Sequence, residues 1–220
     1  MNNNATQFVI LEEQYRSVIE SDIKQLLSGS DAFNARDVQD SPRAMGDVVQ
    51  NVLSEGMQNC LPTGLIKNYK GKHGRKAFAD ISFDDINNNH YAIDVKTHNK
   101  NTVFNMPNLT SIKNIAIHYK EHKKEVFVII LVEYERENDS ITFDSVRMFP
   151  IECIKWKCLS LALLGWGQIQ IKNSNNVEVD YSQSRKAWID ELQLNIEKFY
   201  QKEIKKLKQR NKFFKDLFKQ

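Results

Sequence analysis

The chain has 220 residues, of which 41% are hydrophobic and 10% aromatic, a composition that fits a packed globular protein and excludes a disordered one. Its 31 basic and 28 acidic residues leave a formal net charge of +3, too small to indicate nucleic-acid binding by itself. The longest apolar run, VFVIILV at 126–132, is far shorter than the roughly 20 residues of a membrane helix, and the N-terminus lacks a signal-peptide pattern. We therefore expect a soluble, cytoplasmic, single-domain protein over residues 1–220, with Cys60, Cys153 and Cys158 as buried, reduced thiols.

Two helices are predicted in the first part of the chain. Apolar residues recur at helical spacing from Phe8 to Leu26, which indicates an amphipathic first helix. A second helical pattern begins at the start signal Ser41-Pro42 in DSPRAMGDVVQNVLSEGM. The apolar face of the first helix is a candidate dimer contact, and packing in the core explains that face equally well.

A glycine-spaced basic segment, KNYKGKHGRK at 67–76, follows the second helix. Its lysines and arginine suit a loop that faces DNA phosphates, because cationic side chains supply most of the sequence-independent affinity for DNA. We therefore list Lys70, Lys72 and Arg75 as candidate DNA contacts.

A β-hairpin is predicted next, with strands in AFADISF and HYAIDVKT separated by the turn-like DDINNN. Residues two apart share a face of a strand, so Asp94 and Lys96 project together while Ile93 and Val95 point into the core. Pairing of the two strands brings Asp80 alongside. The hairpin therefore predicts two carboxylates and a lysine at one point.

The rest of the chain predicts strands and two further helices. The pattern indicates a central mixed β-sheet flanked by helices, so the fold class is α+β. The predicted elements are a helix at 109–123, a buried strand at 125–134, strands at 141–149 and 167–173, and a long helix with a lysine-rich face beyond residue 183.

Two carboxylates beside a lysine can cut phosphodiesters. Carboxylate oxygens bind Mg²⁺, which polarises a phosphoryl oxygen and lowers the pKa of an attacking water. A lysine beside them orients that water and stabilises charge on the phosphate. The same acid-x-Lys spacing also begins at Asp22, Glu121 and Glu203, but in predicted helices, where residues two apart face different directions.

The hairpin motif resembles that of PD-(D/E)xK nucleases, with ADISF followed by DVK fourteen residues after Asp80. The stretch DVKTHN, the downstream MPNLTSI and GWGQIQI, and the Trp188 helix resemble type II restriction endonucleases of the HincII-like group, over much of residues 41–205. The resemblance implies a restriction-endonuclease-like core and a homodimer that cleaves a short palindromic site in double-stranded DNA with Mg²⁺. Blunt ends would be consistent with it, as would a cognate DNA methyltransferase that forms no stable complex.

The resemblance also implies roles for individual residues. Asp80 and Asp94 would be metal ligands, and Lys96 would act on the attacking water. Two positions depart from the family: Ala79 replaces the proline of the motif, and Gln50 stands where many relatives have glutamate. Gln50, with Asp47 as a weaker candidate, would therefore either help to bind metal or only position water.

Base readers are predicted in the loop and strands after the motif. The resemblance points to Asn105 and Asn108, because asparagine pairs bidentately with adenine, and less directly to Gln168 and Gln170 on the QIQ strand.

Other readings of the sequence compete with the restriction enzyme. A repair or structure-selective nuclease could share the fold, and a non-catalytic DNA-binding module could use the charged cluster only as a salt bridge. HYKEH, from His118 to His122, matches an inverted zinc-protease pattern, but we interpret it as a solvated helix face. The lysine-rich C-terminal helix either follows DNA phosphates or is an exposed face.

Overall fold

The computed structural model describes residues 8–74, 77–103, 105–137 and 140–219. Arg75, one of the predicted DNA contacts, lies outside these ranges. Within them, the α-helices are α1 (Glu13–Ser28), α2 (Arg36–Asp40), α3 (Pro42–Gly56), α4 (Ile112–Glu121) and α5 (Arg185–Leu217). The strands are β1 (Ile66–Lys70), β2 (Ile81–Asp85), β3 (His90–Asn99), β4 (Asn108–Ser111), β5 (Glu125–Glu137), β6 (Ser140–Pro150), β7 (Leu159–Ala162) and β8 (Gln168–Ile171).

The strands form two sheets. The larger sheet has the order β1-β2-β3-β5-β6, in which β3 and β5 run parallel and the other neighbours antiparallel. The smaller sheet, with the order β4-β8-β7, is antiparallel. The fold is therefore α+β with a mixed central sheet flanked by helices, which confirms the predicted class. The sequence did not predict a separate second sheet.

The central sheet is covered on both faces. One face packs against α1 and α3 and includes Ile93 and Val95, as predicted. The other face includes Ala92 and packs against α4, α5 and the smaller sheet. Because side chains alternate along a strand, Asp94 and Lys96 lie on the same face as Ala92. The charged pair is thus on the side of the smaller sheet.

Three boundaries differ from the sequence prediction. The helix predicted at 109–123 begins only at Ile112, after the short strand β4, because the Ser111 hydroxyl caps it by accepting a hydrogen bond from the Asn114 amide. The basic segment predicted as a loop begins with strand β1, which pairs with β2. The stretch between the strands predicted at 141–149 and 167–173, for which no element was predicted, contains short 3₁₀ turns and β7.

The first helix contributes to the core. Ile19, Ile23 and Leu27 of α1 are buried, and the helix packs against β6 and α3. Val18 lies outside this buried row and is exposed. Core packing therefore accounts for the buried side of α1, and a dimer contact through the helix stays a prediction.

Two further expectations concern the state of the cysteines and the absence of a membrane helix. Cys60, Cys153 and Cys158 are all buried free thiols, as predicted. Among the described residues, none of the helices combines the length and the apolar character needed to cross a membrane.

Candidate active site

Asp80 lies at the entrance of β2 and is tied to the backbone of β3. Its amide donates a hydrogen bond to the Ile93 carbonyl at 2.8 Å. Its carboxylate Oδ2 accepts a hydrogen bond from the Val95 amide at 2.9 Å. Val95 is the residue between Asp94 and Lys96, so this contact places the Asp80 carboxylate beside the charged pair, as the hairpin predicted.

Gln50 reaches the same point from α3. That helix begins at Pro42 with the Ser41 side chain as its N-cap, and it packs against β3. The Gln50 Nε2 atom donates a hydrogen bond to Asp80 Oδ1 at 2.6 Å. Both Asp80 oxygens therefore accept hydrogen bonds from the protein.

Asp94 and Lys96 form a close, mostly buried ion pair. The Lys96 Nζ atom lies 2.7 Å from Asp94 Oδ2, and the side chains are 21% and 13% exposed, respectively. The Oδ2 atom is inaccessible to solvent, and its partner is the Lys96 ammonium group. Asp94 is thus a mostly buried carboxylate whose charge is balanced by one lysine.

The electrostatic environment disfavours the charged form of Asp94. Burial raises the pKa of its carboxyl group to about 7; the Lys96 ammonium group opposes this rise, and the Asp80 carboxylate adds to it. A carboxyl group whose pKa is raised by burial and by a second carboxylate is a candidate functional residue.

The donor set fits a magnesium ion. Asp80 and Asp94 provide the carboxylate oxygens that Mg²⁺ prefers. The Asp94 carboxylate keeps lone pairs beyond its contact with Lys96. Each Asp80 oxygen accepts one hydrogen bond and has a second lone pair. The residues that would hold the ion are therefore Asp80 and Asp94, and Gln50 would act through Asp80.

Three of the four predicted base readers share the smaller sheet. Asn108 at the start of β4 is exposed, and its Oδ1 atom accepts a hydrogen bond from Gln170 Nε2 on β8 at 2.7 Å. Gln168 lies two residues earlier on β8, opposite Ser111. Asn105 is separate from this group, because its side chain lies 3.4 Å from the ring of the buried His98.

Lys70 and Lys72, the two predicted DNA contacts that the structure describes, are exposed. Lys70 ends β1, and Lys72 follows Gly71, where the chain passes so close to α3 that a Cβ atom would lie 2.0 Å from the Ser54 carbonyl oxygen. The Lys72 Nζ atom pairs with Glu55 at 2.9 Å. An exposed pair of this kind is worth about 0–1 kcal/mol, so Lys72 remains available to a phosphate.

A histidine-lined groove next to the charged cluster was not predicted. Its volume is about 440 Å³, and its wall includes Ala79 and Ala92. Ala79 precedes Asp80 in the chain, and Ala92 lies on the same face of β3 as Asp94. Four histidines line it: His73, His90, His118 and His122. His118 and His122 lie one turn apart at the end of α4, whereas the fold brings His73, which precedes β2, and His90 of β3 to them.

His118 contradicts the prediction of a solvated helix face. Its side chain is only 6% exposed, packs against Phe78, and has its Nδ1 atom 3.2 Å from Glu125. Burial lowers the pKa of His118 to about 4, with the His122 ring contributing, so the ring is neutral at pH 7. Among the described residues, no three His, Cys, Asp or Glu side chains are close enough together to hold a metal ion.

The chain was compared with family models and with curated proteins. No known family model matches the chain, and no curated protein is significantly similar to it.

Proposed function

We propose that the protein is a Mg²⁺-dependent endonuclease of double-stranded DNA, with a restriction-endonuclease-like fold and the site-specific activity of a type II restriction enzyme. The observation that carries this proposal is the convergence of Asp80, Asp94 and Lys96. The Asp80 carboxylate is held on the Val95 amide, between the two members of the ion pair. Such a set of two carboxylates and one lysine suits phosphodiester hydrolysis.

Each residue has a distinct task in this reaction. Asp80 and Asp94 would hold the ion, which would polarise the scissile phosphate and make water more acidic. Asp94 would bind it as the carboxylate, so binding at neutral pH would release protons. The Lys96 ammonium group, which balances Asp94, would orient the attacking water and stabilise charge on the phosphate.

Gln50 is a positioning residue. Its amide holds Asp80 Oδ1 at 2.6 Å, so it fixes the carboxylate that bridges α3 and β3. A neutral side chain in this place adds no charge to a site that already contains two carboxylates. This supports the reading in which Gln50 orients other groups and is not a metal ligand.

Sequence specificity requires side chains that reach base edges. The exposed Asn108–Gln170 pair is the best candidate, because two neighbouring amides offer a rigid set of donors and acceptors. A homodimer would present two such pairs and two catalytic clusters to a palindromic site, since a two-fold axis relates both strands of the site.

A non-catalytic DNA-binding module is the second candidate. Both Asp80 oxygens already accept hydrogen bonds, and the Asp94 charge already has Lys96 beside it. A cluster of this kind can serve only to join α3, β2 and β3. In that case the protein would bind DNA in the presence of a chelator and would cut it under no condition.

Digestion of a sequence-diverse duplex DNA tests the proposal. We would compare the wild type with Lys96→Ala, each with Mg²⁺ and with chelator, and sequence the ends. Lys100→Ala is the matched control, because Lys100 also forms ion pairs beside β3 but with the exposed Asp144 and Glu135. We expect fragments with one shared motif for the wild type and the control with Mg²⁺ only.

The other outcomes distinguish the alternatives. Cutting without a shared motif, or only at mismatches and junctions, would favour a structure-selective nuclease. Equal cutting by Lys96→Ala would show that the lysine is not catalytic. No cutting by a folded wild type that still binds DNA would favour the non-catalytic module.

A further inference from the structure

The last part of α5 projects from the body of the protein. The buried side chains of this 33-residue helix are Trp188, Leu192 and Glu203. Beyond Glu203, the described side chains are exposed except for the half-buried Lys206. At 1.5 Å per residue, the helix from residue 204 to 217 extends about 20 Å without cover.

A regular apolar stripe runs along the projecting part. Its residues follow one another at intervals of 4, 3, 4, 3 and 4, the spacing of the a and d positions of a coiled coil. They are Tyr200, Ile204, Leu207, Asn211, Phe214 and Phe218. The stripe begins on the body, where the Tyr200 hydroxyl donates to the Trp166 carbonyl, and continues beyond it with Ile204, Leu207, Phe214 and Phe218 between 52% and 78% exposed.

The residues of the stripe favour a particular partner. Ile204 occupies an a position and Leu207 a d position, which is the combination that favours parallel pairs of helices. Asn211 occupies the central a position, where a single asparagine specifies two strands in register because it pairs with its own counterpart. A second copy of this chain, aligned in parallel, satisfies both conditions.

Charges at the edges of the stripe oppose the pairing. Glu203 at a g position is buried against the body and pairs with Lys206 of its own helix, so it is not a contact between the two helices. In a parallel pair, Arg210 at the next g position faces Lys215 at an e position of the other helix, and the two repel. Residues 202–219 contain eight Lys or Arg and two acidic residues, a net charge of 8 − 2 = +6.

We propose that residues 200–218 form a parallel, two-stranded helix pair with the same segment of a second copy of the chain. Pairing would bury, in two copies together, on the order of 1,000 Å² of apolar surface that is now exposed, about the minimum for a specific interface. This surface belongs to Ile204, Leu207, Phe214, Leu217 and Phe218. The pairing itself does not depend on catalysis. Its use, to place two Asp94–Lys96 clusters about one two-fold axis, rests on the proposed function.

The positive charge gives the association a distinctive salt dependence. Two segments of +6 repel, and salt screens this repulsion, so the pair should tighten as salt increases. Binding of the same lysines to DNA phosphates would instead weaken with salt. The sign of the salt effect therefore separates a helix pair from a nucleic-acid contact.

Sedimentation equilibrium of the full-length chain, without DNA or Mg²⁺, tests the pairing. We expect a dimer for the wild type that tightens between 0.1 and 0.5 M salt, values chosen to span screening lengths of about 10 and 4 Å. Leu207→Glu and Phe214→Glu should each weaken it by about 100-fold or more, because each buries a charge at a d position. Gln209→Glu, which adds the same charge at the outer f position, is the matched control and should remain dimeric.

A second variant tests the register. Asn211→Val should tighten the association and allow assemblies larger than two chains, because the polar layer that specifies the dimer is gone. Circular dichroism would check that the variants keep the wild-type helix content.

Several results would overturn the pairing. They are a wild type that is monomeric at both salt concentrations, an association that weakens with salt, and a dimer that Leu207→Glu and Gln209→Glu change equally. Because the measurement uses neither DNA nor Mg²⁺, a failure of the nuclease proposal leaves its result unaffected.

Discussion

Two buried aspartates on the same hairpin have opposite environments. Asp85, at the end of β2, accepts four hydrogen bonds: from the amides of Asn87 and Asn89 at 2.8 and 2.9 Å, from the Asn89 side chain at 2.9 Å, and from the Tyr91 hydroxyl at 3.0 Å. Asp94, on β3, has the Lys96 ammonium group 2.7 Å from its Oδ2 atom and the Asp80 carboxylate close enough to raise its pKa.

The difference separates a carboxylate whose charge is stabilised by fixed donors from one whose charge is costly. The donors around Asp85 are fixed by the turn and stabilise its charge wherever the hairpin is folded. The Asp94 carboxyl is buried near a second carboxylate, so its charged form is costly until a cation arrives.

The largest expected effect is on cleavage. If Asp94 binds the metal as proposed, Asp94→Asn should reduce Mg²⁺-dependent cleavage by about 1,000-fold or more, because the variant lacks a charged ligand where charge is stabilised. Single-turnover cleavage of a cognate duplex measures this. Retention of most of the activity in the folded variant would contradict a metal-binding role for Asp94.

The second effect is on stability and concerns Asp85. Asp85→Ala should lower the free energy of unfolding by about 3 kcal/mol, because the buried donors of Asn89 and Tyr91 lose their acceptor. Urea unfolding of the variant and the wild type measures the difference. A loss below about 1 kcal/mol would mean that water replaces the carboxylate, and the contrast with Asp94 would then be weaker.

The third effect has the opposite sign. Asp94→Asn should raise the free energy of unfolding at pH 8, without divalent ions, by on the order of 2 kcal/mol. The pKa of Asp94 rises to about 7 in the folded state, against about 3.9 in the unfolded chain. Between these values the folded protein binds more protons, so the wild type loses stability as pH rises from about 4 to 7.

Urea unfolding of both proteins between pH 4 and pH 8, in chelator, follows this difference. The advantage of Asp94→Asn should grow through that window and level off above it, whereas the effect of Mg²⁺ should be confined to the wild type. A difference that is independent of pH would refute the raised pKa of Asp94.

The smallest effect concerns specificity. Asn108→Ala and Gln170→Ala should each reduce discrimination between the cognate site and single-base variants by about 1–2 kcal/mol. Because the pair lies at the surface, the free energy of unfolding should change by less than about 0.5 kcal/mol. Cleavage rates on a set of single-base variant duplexes measure this, and unchanged ratios would exclude the pair as base readers.

Local sequence carried much of the candidate site. The period of two in HYAIDVKT predicted the shared face of Asp94 and Lys96, and the short turn predicted the neighbouring position of Asp80. Both were accessible because a hairpin is a local structure whose register follows from its turn. Gln50 could be named only through a resemblance, since thirty residues separate it from Asp80.

Long-range packing decided the rest. The smaller sheet joins β4 to β8 across some sixty residues, and strands of four residues are too short to show a period. The histidine groove and the burial of His118 likewise depend on which elements meet, so HYKEH looked like a solvated helix face.

The sequence by itself determined the α+β class, most of the elements and the pairing of two aspartates with a lysine, because alternation and helical spacing are properties of neighbouring residues. Only the tertiary structure decided that the Asp80 carboxylate binds the Val95 amide and Gln50, and that burial raises the pKa of Asp94. Solvent exclusion and the sum of nearby charges depend on distances in space, which no spacing along the chain specifies.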